Sequence, residues 1–136
     1  MYRIEKKGFG FKLTFAGSIQ ADEMGKWLRD FEQAIEKQTG SFVVFVDMRT
    51  LIPLDREAQL FMQKGQSLAL DKGMLRSVVI SKSPVTEAQF RRIGGETGIT
   101  KGERYVDATA TPNWEKVGLD WLLKGIEPET RRVNVA

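Results

Sequence analysis

Three carboxylates, Asp47, Asp55 and Glu57, fall within one stretch, V-D-M-R-T-L-I-P-L-D-R-E over residues 46–57, and their grouping comes nearest to reactive chemistry in this chain. A carboxylate at the end of an apolar strand can take a phosphoryl group or help to hold magnesium, because hard cations favour oxygen ligands. The remaining composition narrows the choice. With no Cys and no His among 136 residues, thiolate nucleophiles, disulfides, thiolate zinc sites and imidazole bases are unavailable, so catalysis would rest on carboxylates alone. The same residues also have ordinary structural uses. Asp55 precedes an amphipathic pattern as a helix N-cap, a role that contributes about 1 kcal/mol, and Glu57 in the first turn complements the helix dipole.

Other candidate motifs dissolve on inspection. The Gly-rich run Gly94-Gly95-Glu96-Thr97-Gly98-Ile99-Thr100-Lys101-Gly102 lacks the spacing of a phosphate-binding loop and lies between a helix and a strand in the wrong order, which predicts a helix C-cap and a connecting turn. Trp27, Trp114 and Trp121 each sit on the apolar stripe of a helix and are expected in the core. Ser83 reads as a helix cap. The net charge of +3 is spread thinly, with Lys6-Lys7, Arg91-Arg92 and Arg131-Arg132 as isolated basic pairs, so nothing supports a nucleic-acid surface. The longest apolar run, Phe42 to Val46, is far short of the roughly 20 residues of a membrane span. The N-terminal segment lacks a signal-peptide core, and the expectation is a cytoplasmic protein with no cofactor and no bound metal.

These residues need elements to place them. Tyr2, Ile4, Phe9, Phe11, Leu13 and Phe15 alternate with polar residues around Lys7-Gly8, which predicts an antiparallel hairpin. Met24, Trp27, Leu28, Phe31 and Ile35 form one helical stripe over 22–39, closed by Gly40. Phe42 to Val46 reads as an interior strand ended by Asp47. A second helix over 55–70 is closed by Lys72-Gly73. Ser77 to Ser81 forms the next strand, and Ser83-Pro84 caps a third helix running to about Gly94. A strand centred on Tyr105-Val106 follows, and Thr111-Pro112 caps a last helix bearing Trp114, Val117, Gly118, Trp121 and Leu122. The order ββαβαβαβα predicts an α/β domain over 1–124, with a mixed, largely parallel sheet and an N-terminal hairpin. Residues 125–136 read as a flexible tail. Ligands of such sheets meet the loops at the carboxyl ends of the strands, here Asp47 to Glu57, Ser81 to Ser83 and the loop after Val106.

The hairpin, F-V-V-F-V-D-M-R, the helix after Asp55, S-V-V-I-S-K-S-P-V-T-E-A-Q-F-R-R-I and G-I-T-K-G-E-R-Y-V-D-A together resemble the STAS group of anti-sigma-factor antagonists, in particular its SpoIIAA-like branch, related to Sec14-type domains. In the phosphorylated antagonists a strand ending in Asp leads to D-S-S-G, whose second Ser is modified by a partner kinase. Aligning Asp47 with the strand-end Asp puts Asp55 on the motif's Asp, Arg56 and Glu57 on its two Ser, and Ala58 on its Gly. The acceptor hydroxyl is missing. Glu57 supplies a permanent single charge where a phosphate would add about −1.5 to −2. The resemblance to other Asp-based phosphoryl proteins is thinner. Haloacid-dehalogenase-type phosphatases carry D-x-D-x-T, but Arg49 holds the position of the second Asp, and response-regulator receivers need an acidic pair that the first strand does not provide.

Three functions follow as expectations. The first is a non-enzymatic STAS-like regulatory or protein-interaction domain that meets an unidentified protein partner through Asp47, Arg49, Asp55, Arg56 and Glu57, with homodimerisation left open. The second, implied by the Sec14-type relationship, is a small-ligand or lipid-binding domain whose Leu51, Ile52, Pro53 and Leu54 line or gate an apolar pocket. The third is a magnesium-dependent phosphoryl enzyme using Asp47.

Overall fold

A computed structural model describes residues 1–128. The elements run β1 (Tyr2–Lys7), β2 (Gly10–Gly17), α1 (Ala21–Glu36), β3 (Phe42–Leu51), α2 (Arg56–Asp71), β4 (Met74–Ser81), α3 (Pro84–Thr97), a 3₁₀ turn (Ile99–Lys101), β5 (Glu103–Asp107) and α4 (Trp114–Lys124). The five strands lie in chain order, β1-β2-β3-β4-β5. β1 and β2 pair antiparallel, and every later pair is parallel. The expected α/β architecture is the observed one.

Strand alternation distributes the apolar residues between two cores. Phe11, Leu13 and Phe15 of β2, Val44, Val46 and Met48 of β3 and Val79 of β4 pack with Met24, Trp27, Phe31, Ile35, Met62 and Phe90 from α1, α2 and α3. The opposite face offers Val43, Phe45, Val78, Ile80 and Val106, which meet Trp121 and Leu122 of α4. β3 reads as a continuous apolar run because both of its faces are covered. α4 lies against β3, β4 and β5, so the same face of β1 and β2 stays polar. Trp27 and Trp121 are core residues as expected, at 1% and 6% exposure. Trp27 stacks on Phe31 with centroids 5.2 Å apart, and its ring edge rests on Gly65, where an added Cβ would lie 2.2 Å from Cη2.

Several boundaries differ from the sequence reading. β3 does not end at Asp47 but continues to Leu51. Asp47 opposite Ile80 is the last pair with β4, and the β2 pairing slips register before Ala16 meets Thr50. The charged residue therefore marks where one neighbour is lost, not where the strand stops. α1 ends at Glu36 with Lys37 as its C-cap. α3 continues through Gly94 and Gly95 to Thr97, where Gly98 takes the left-handed cap conformation that glycine adopts without steric penalty. Thr111 does not cap α4. That helix starts at Trp114 after Asn113 with no side-chain cap, and the Thr111 carbonyl instead accepts the Trp114 amide in a turn at 3.1 Å. The start of the expected tail is tied down: Arg104 Nε donates to Glu127 Oε1 at 2.7 Å and Nη2 to Oε2 at 2.9 Å. Arg131 and Arg132 lie outside the described residues.

Candidate functional site

The loop from β3 to α2 is held on several sides. Leu54 has both backbone groups engaged by one side chain: its amide donates to Gln89 Oε1 at 2.8 Å, and Gln89 Nε2 donates to its carbonyl at 2.9 Å. Gln59 Nε2 adds a second bond to that carbonyl at 3.0 Å. Buried Thr86 donates from Oγ1 to the Leu51 carbonyl at 3.2 Å, and the Ile52 amide reaches the Gly17 carbonyl at 3.0 Å. Sequence reasoning missed Gln59, Thr86 and Gln89. Thr86 and Gln89 serve backbone groups 35 positions away and Gln59 one five positions away, and such side-chain bonds leave no periodic signal.

The pinning sorts the four apolar loop residues into two pairs. Leu51 and Leu54 are each 4% exposed and belong to the core, whereas Ile52 is 54% exposed and Pro53 faces solvent. Asp55 caps α2 as expected, its Oδ1 accepting the Ala58 amide at 2.8 Å. Arg56 and Glu57 are exposed on the first turn. Arg56 also borders a groove between α2 and α3 of about 390 Å³, across which Leu60 and Gln63 face Arg92 and Glu96.

Asp47 and Arg49 are elsewhere. They lie on the face of β3 that meets α4, away from the loop. Arg49 Nε donates to Asp47 Oδ1 and Nη2 to Oδ2, both at 3.0 Å, and the Arg49 guanidinium lies 4.1 Å from the centroid of the Trp114 ring. Burial pushes the Asp47 carboxyl up, but hydrogen bonds from Arg49 together with the charges of Arg49 and Lys12 outweigh it and hold the group below the ordinary carboxylate value. Both oxygens are thus occupied by a cation of the same strand. The five candidate interaction residues therefore divide into two places: Asp55, Arg56 and Glu57 join the exposed loop, while Asp47, 7% exposed, and Arg49 form a strand-and-helix clamp. Among the described residues no three acidic side chains come together as a metal site, and no helix is long and apolar enough to cross a membrane.

A buried polar cluster was not anticipated. Glu103, 6% exposed, accepts from Ser77 Oγ at 2.9 Å and from Tyr105 Oη at 2.6 Å. Burial pushes its carboxyl up against the lowering effect of those bonds and of Arg91. Glu103, Ser77 and Gln66 border a cavity of about 40 Å³ whose walls otherwise include Trp27, Phe31, Met62 and Phe90. None of residues 51–54 lines it.

The architecture of a five-stranded mixed sheet with three helices on one face and one on the other is a SpoIIAA-like fold. Among solved structures, the chain is similar to an uncharacterised DUF3478-family protein with that fold from Shewanella loihica PV-4, at 21% identity and a TM-score of 0.62, covering 90% of this chain and 92% of the other. At that identity the likeness establishes the fold. No family model matches the sequence, and no curated protein does.

Proposed function

We propose that this chain is a non-enzymatic, SpoIIAA-like protein-interaction domain that presents the β3–α2 loop and the outer face of α2 to a protein partner. The observation that carries this reading is Ile52, a large apolar side chain 54% exposed on a loop whose neighbour Leu54 is fixed through both backbone groups. A surface ordered before binding loses little conformational entropy when it docks, which favours affinity. Along α2, Arg56, Leu60 and Lys64 follow at four-residue spacing and all are exposed, so one helical face continues the surface. Glu57 stands where the phosphorylated antagonists carry their acceptor Ser, which makes the interaction independent of phosphorylation at that position. The interior is a poorer candidate for a lipid. Its cavity of about 40 Å³ accommodates a few waters, well below the ~150 Å³ cavity that binds benzene.

A photo-crosslinking residue placed at Ile52 or Leu60 in the native host tests this reading, with Leu75, 61% exposed near the opposite end of the sheet, as control. The expected result is a discrete adduct from Ile52 and Leu60, absent from Leu75 and reduced by Arg56→Glu, with thermal stability within about 1 kcal/mol of wild type. Equal labelling from Leu75, or an adduct indifferent to Arg56, would overturn it.

A further inference from the structure

The chain leaves β4 toward α3, on the face that also carries α1 and α2, but leaves β5 toward α4 on the opposite face. Adjacent parallel strands whose onward connections diverge leave a crevice outside their carboxyl ends, the usual ligand position of open α/β sheets. A cleft of about 360 Å³ opens there, between the β4–α3 turn and the loop after β5. Its volume falls at the lower end of the roughly 300–1,000 Å³ typical of small-molecule sites.

The charges lining this cleft are not all spoken for. Ser81, 1% exposed, donates from Oγ to Glu87 Oε1 at 3.1 Å, and its carbonyl accepts the Ala108 amide at 2.8 Å. Glu87 Oε2 takes Arg91 Nε at 2.8 Å, and the Arg91 guanidinium also covers the Tyr105 ring at 4.2 Å. That pair is therefore internally neutralised. Ser83 Oγ caps the Thr86 amide at 3.2 Å, whereas the Val85 amide, in the first turn, has no intrahelical acceptor. Lys82 is exposed and enters no ion pair among the described residues. On the other wall, exposed Asp107 accepts the Thr109 amide at 2.9 Å and the Thr109 hydroxyl at 2.6 Å, both at Oδ1, and its other oxygen takes no hydrogen bond among the described residues. Lys82, in the turn before α3, and Asp107, at the end of β5, thus line the cleft with opposite charges.

We infer that this crevice binds a small zwitterion of amino-acid size, its carboxylate directed to Lys82 and the first turn of α3 and its ammonium group to Asp107. The site is distinct from the β3–α2 loop and stands whether or not that loop binds a protein. Backbone amide NMR spectra of the full chain, titrated separately with each common amino acid to about 20 mM, test it; the expected result is that at least one shifts amides of residues 82–88 together with 107–110, with a Kd of about 1 mM or tighter. Lys82→Ala and Asp107→Asn should each weaken that binding at least about tenfold, while Lys26→Ala, an exposed residue of α1, leaves it unchanged. The N-acetylated form of the binding amino acid, which keeps only the carboxylate, should bind at least about tenfold more weakly. Absence of such shifts with every amino acid, equal binding of the N-acetylated form, or indifference to both variants would overturn the inference.

Discussion

Arg49 holds both oxygens of Asp47 and lays its planar face on Trp114, linking the central strand to the start of the last helix. Burial is the largest single influence on Asp47 and acts upward; Arg49 reverses it. Arg49→Ala is therefore expected to raise the Asp47 pKa above the ordinary value of about 3.9, and to cost about 1–3 kcal/mol at pH 7, less than a sealed ion pair because Arg49 is partly solvated. NMR titration and chemical denaturation check both. In the wild-type chain, a carboxyl lowered on folding contributes stability that is present above its unfolded pKa and lost as pH falls through the folded one. The cost of Arg49→Ala should accordingly shrink below about pH 4.

Glu103 has the opposite sign. Burial raises its carboxyl in the folded chain despite Tyr105, Ser77 and Arg91. Above the unfolded value of about 4.3 the unfolded chain gives up its proton while the folded chain retains it, so stability falls as pH rises toward the folded pKa. Glu103→Gln, which keeps the shape and a carbonyl acceptor but cannot ionise, is expected to improve relative to wild type between pH 4 and pH 8, measured as the difference in denaturation free energy. Parallel profiles would show that Glu103 ionises freely in the fold.

At the scale of elements, close packing depends on where a side chain is missing. An added Cβ at Gly65 would meet the Trp27 ring at 2.2 Å, while one at Gly95, on the exposed side of α3, meets nothing within 4 Å. Gly65→Ala is expected to destabilise by about 1–3 kcal/mol through overpacking, and Gly95→Ala to stabilise by about 0.5–1 kcal/mol by restricting the unfolded chain; thermal melts separate the two. Periodicity exposed most of this architecture in advance. The stripe through Met24, Trp27, Phe31 and Ile35 is buried, and the Asp55 and Ser83 caps are formed. What stayed hidden has one physical source, side-chain contacts that leave no periodic trace in the sequence, whether they span two positions or thirty-five. Asp47 reads as a stop because it is charged, and only pairing with Arg49 explains how β3 carries it onward. Leu51 to Leu54 read as one apolar strip because nothing local separates the residues that Gln89 and Thr86 help to turn inward from those left outside. Glu103 looks like an ordinary strand-edge charge until Ser77 and Tyr105 are found beside it.

For the molecule as a whole, α4 is, among the described residues, the one helix that covers the second face of β3–β5. Truncation before Trp114 would uncover Val43, Phe45, Val78, Ile80 and Val106 together, an apolar patch of the kind that drives association. Such a chain is expected to bind a hydrophobic dye and to aggregate, read by fluorescence and light scattering, whereas the full chain does neither. The strand order makes the timing of that cover matter. Because sheet neighbours are also neighbours in sequence, each strand emerging from the ribosome meets the free edge of the one before it, and none has to wedge between two already joined. Growth can proceed from the first hairpin in a single direction. The closing helix is synthesised last among the described elements, so the nascent chain depends on a final act of shielding, and the interval between the emergence of β5 and that of α4 is when a chaperone would serve it best.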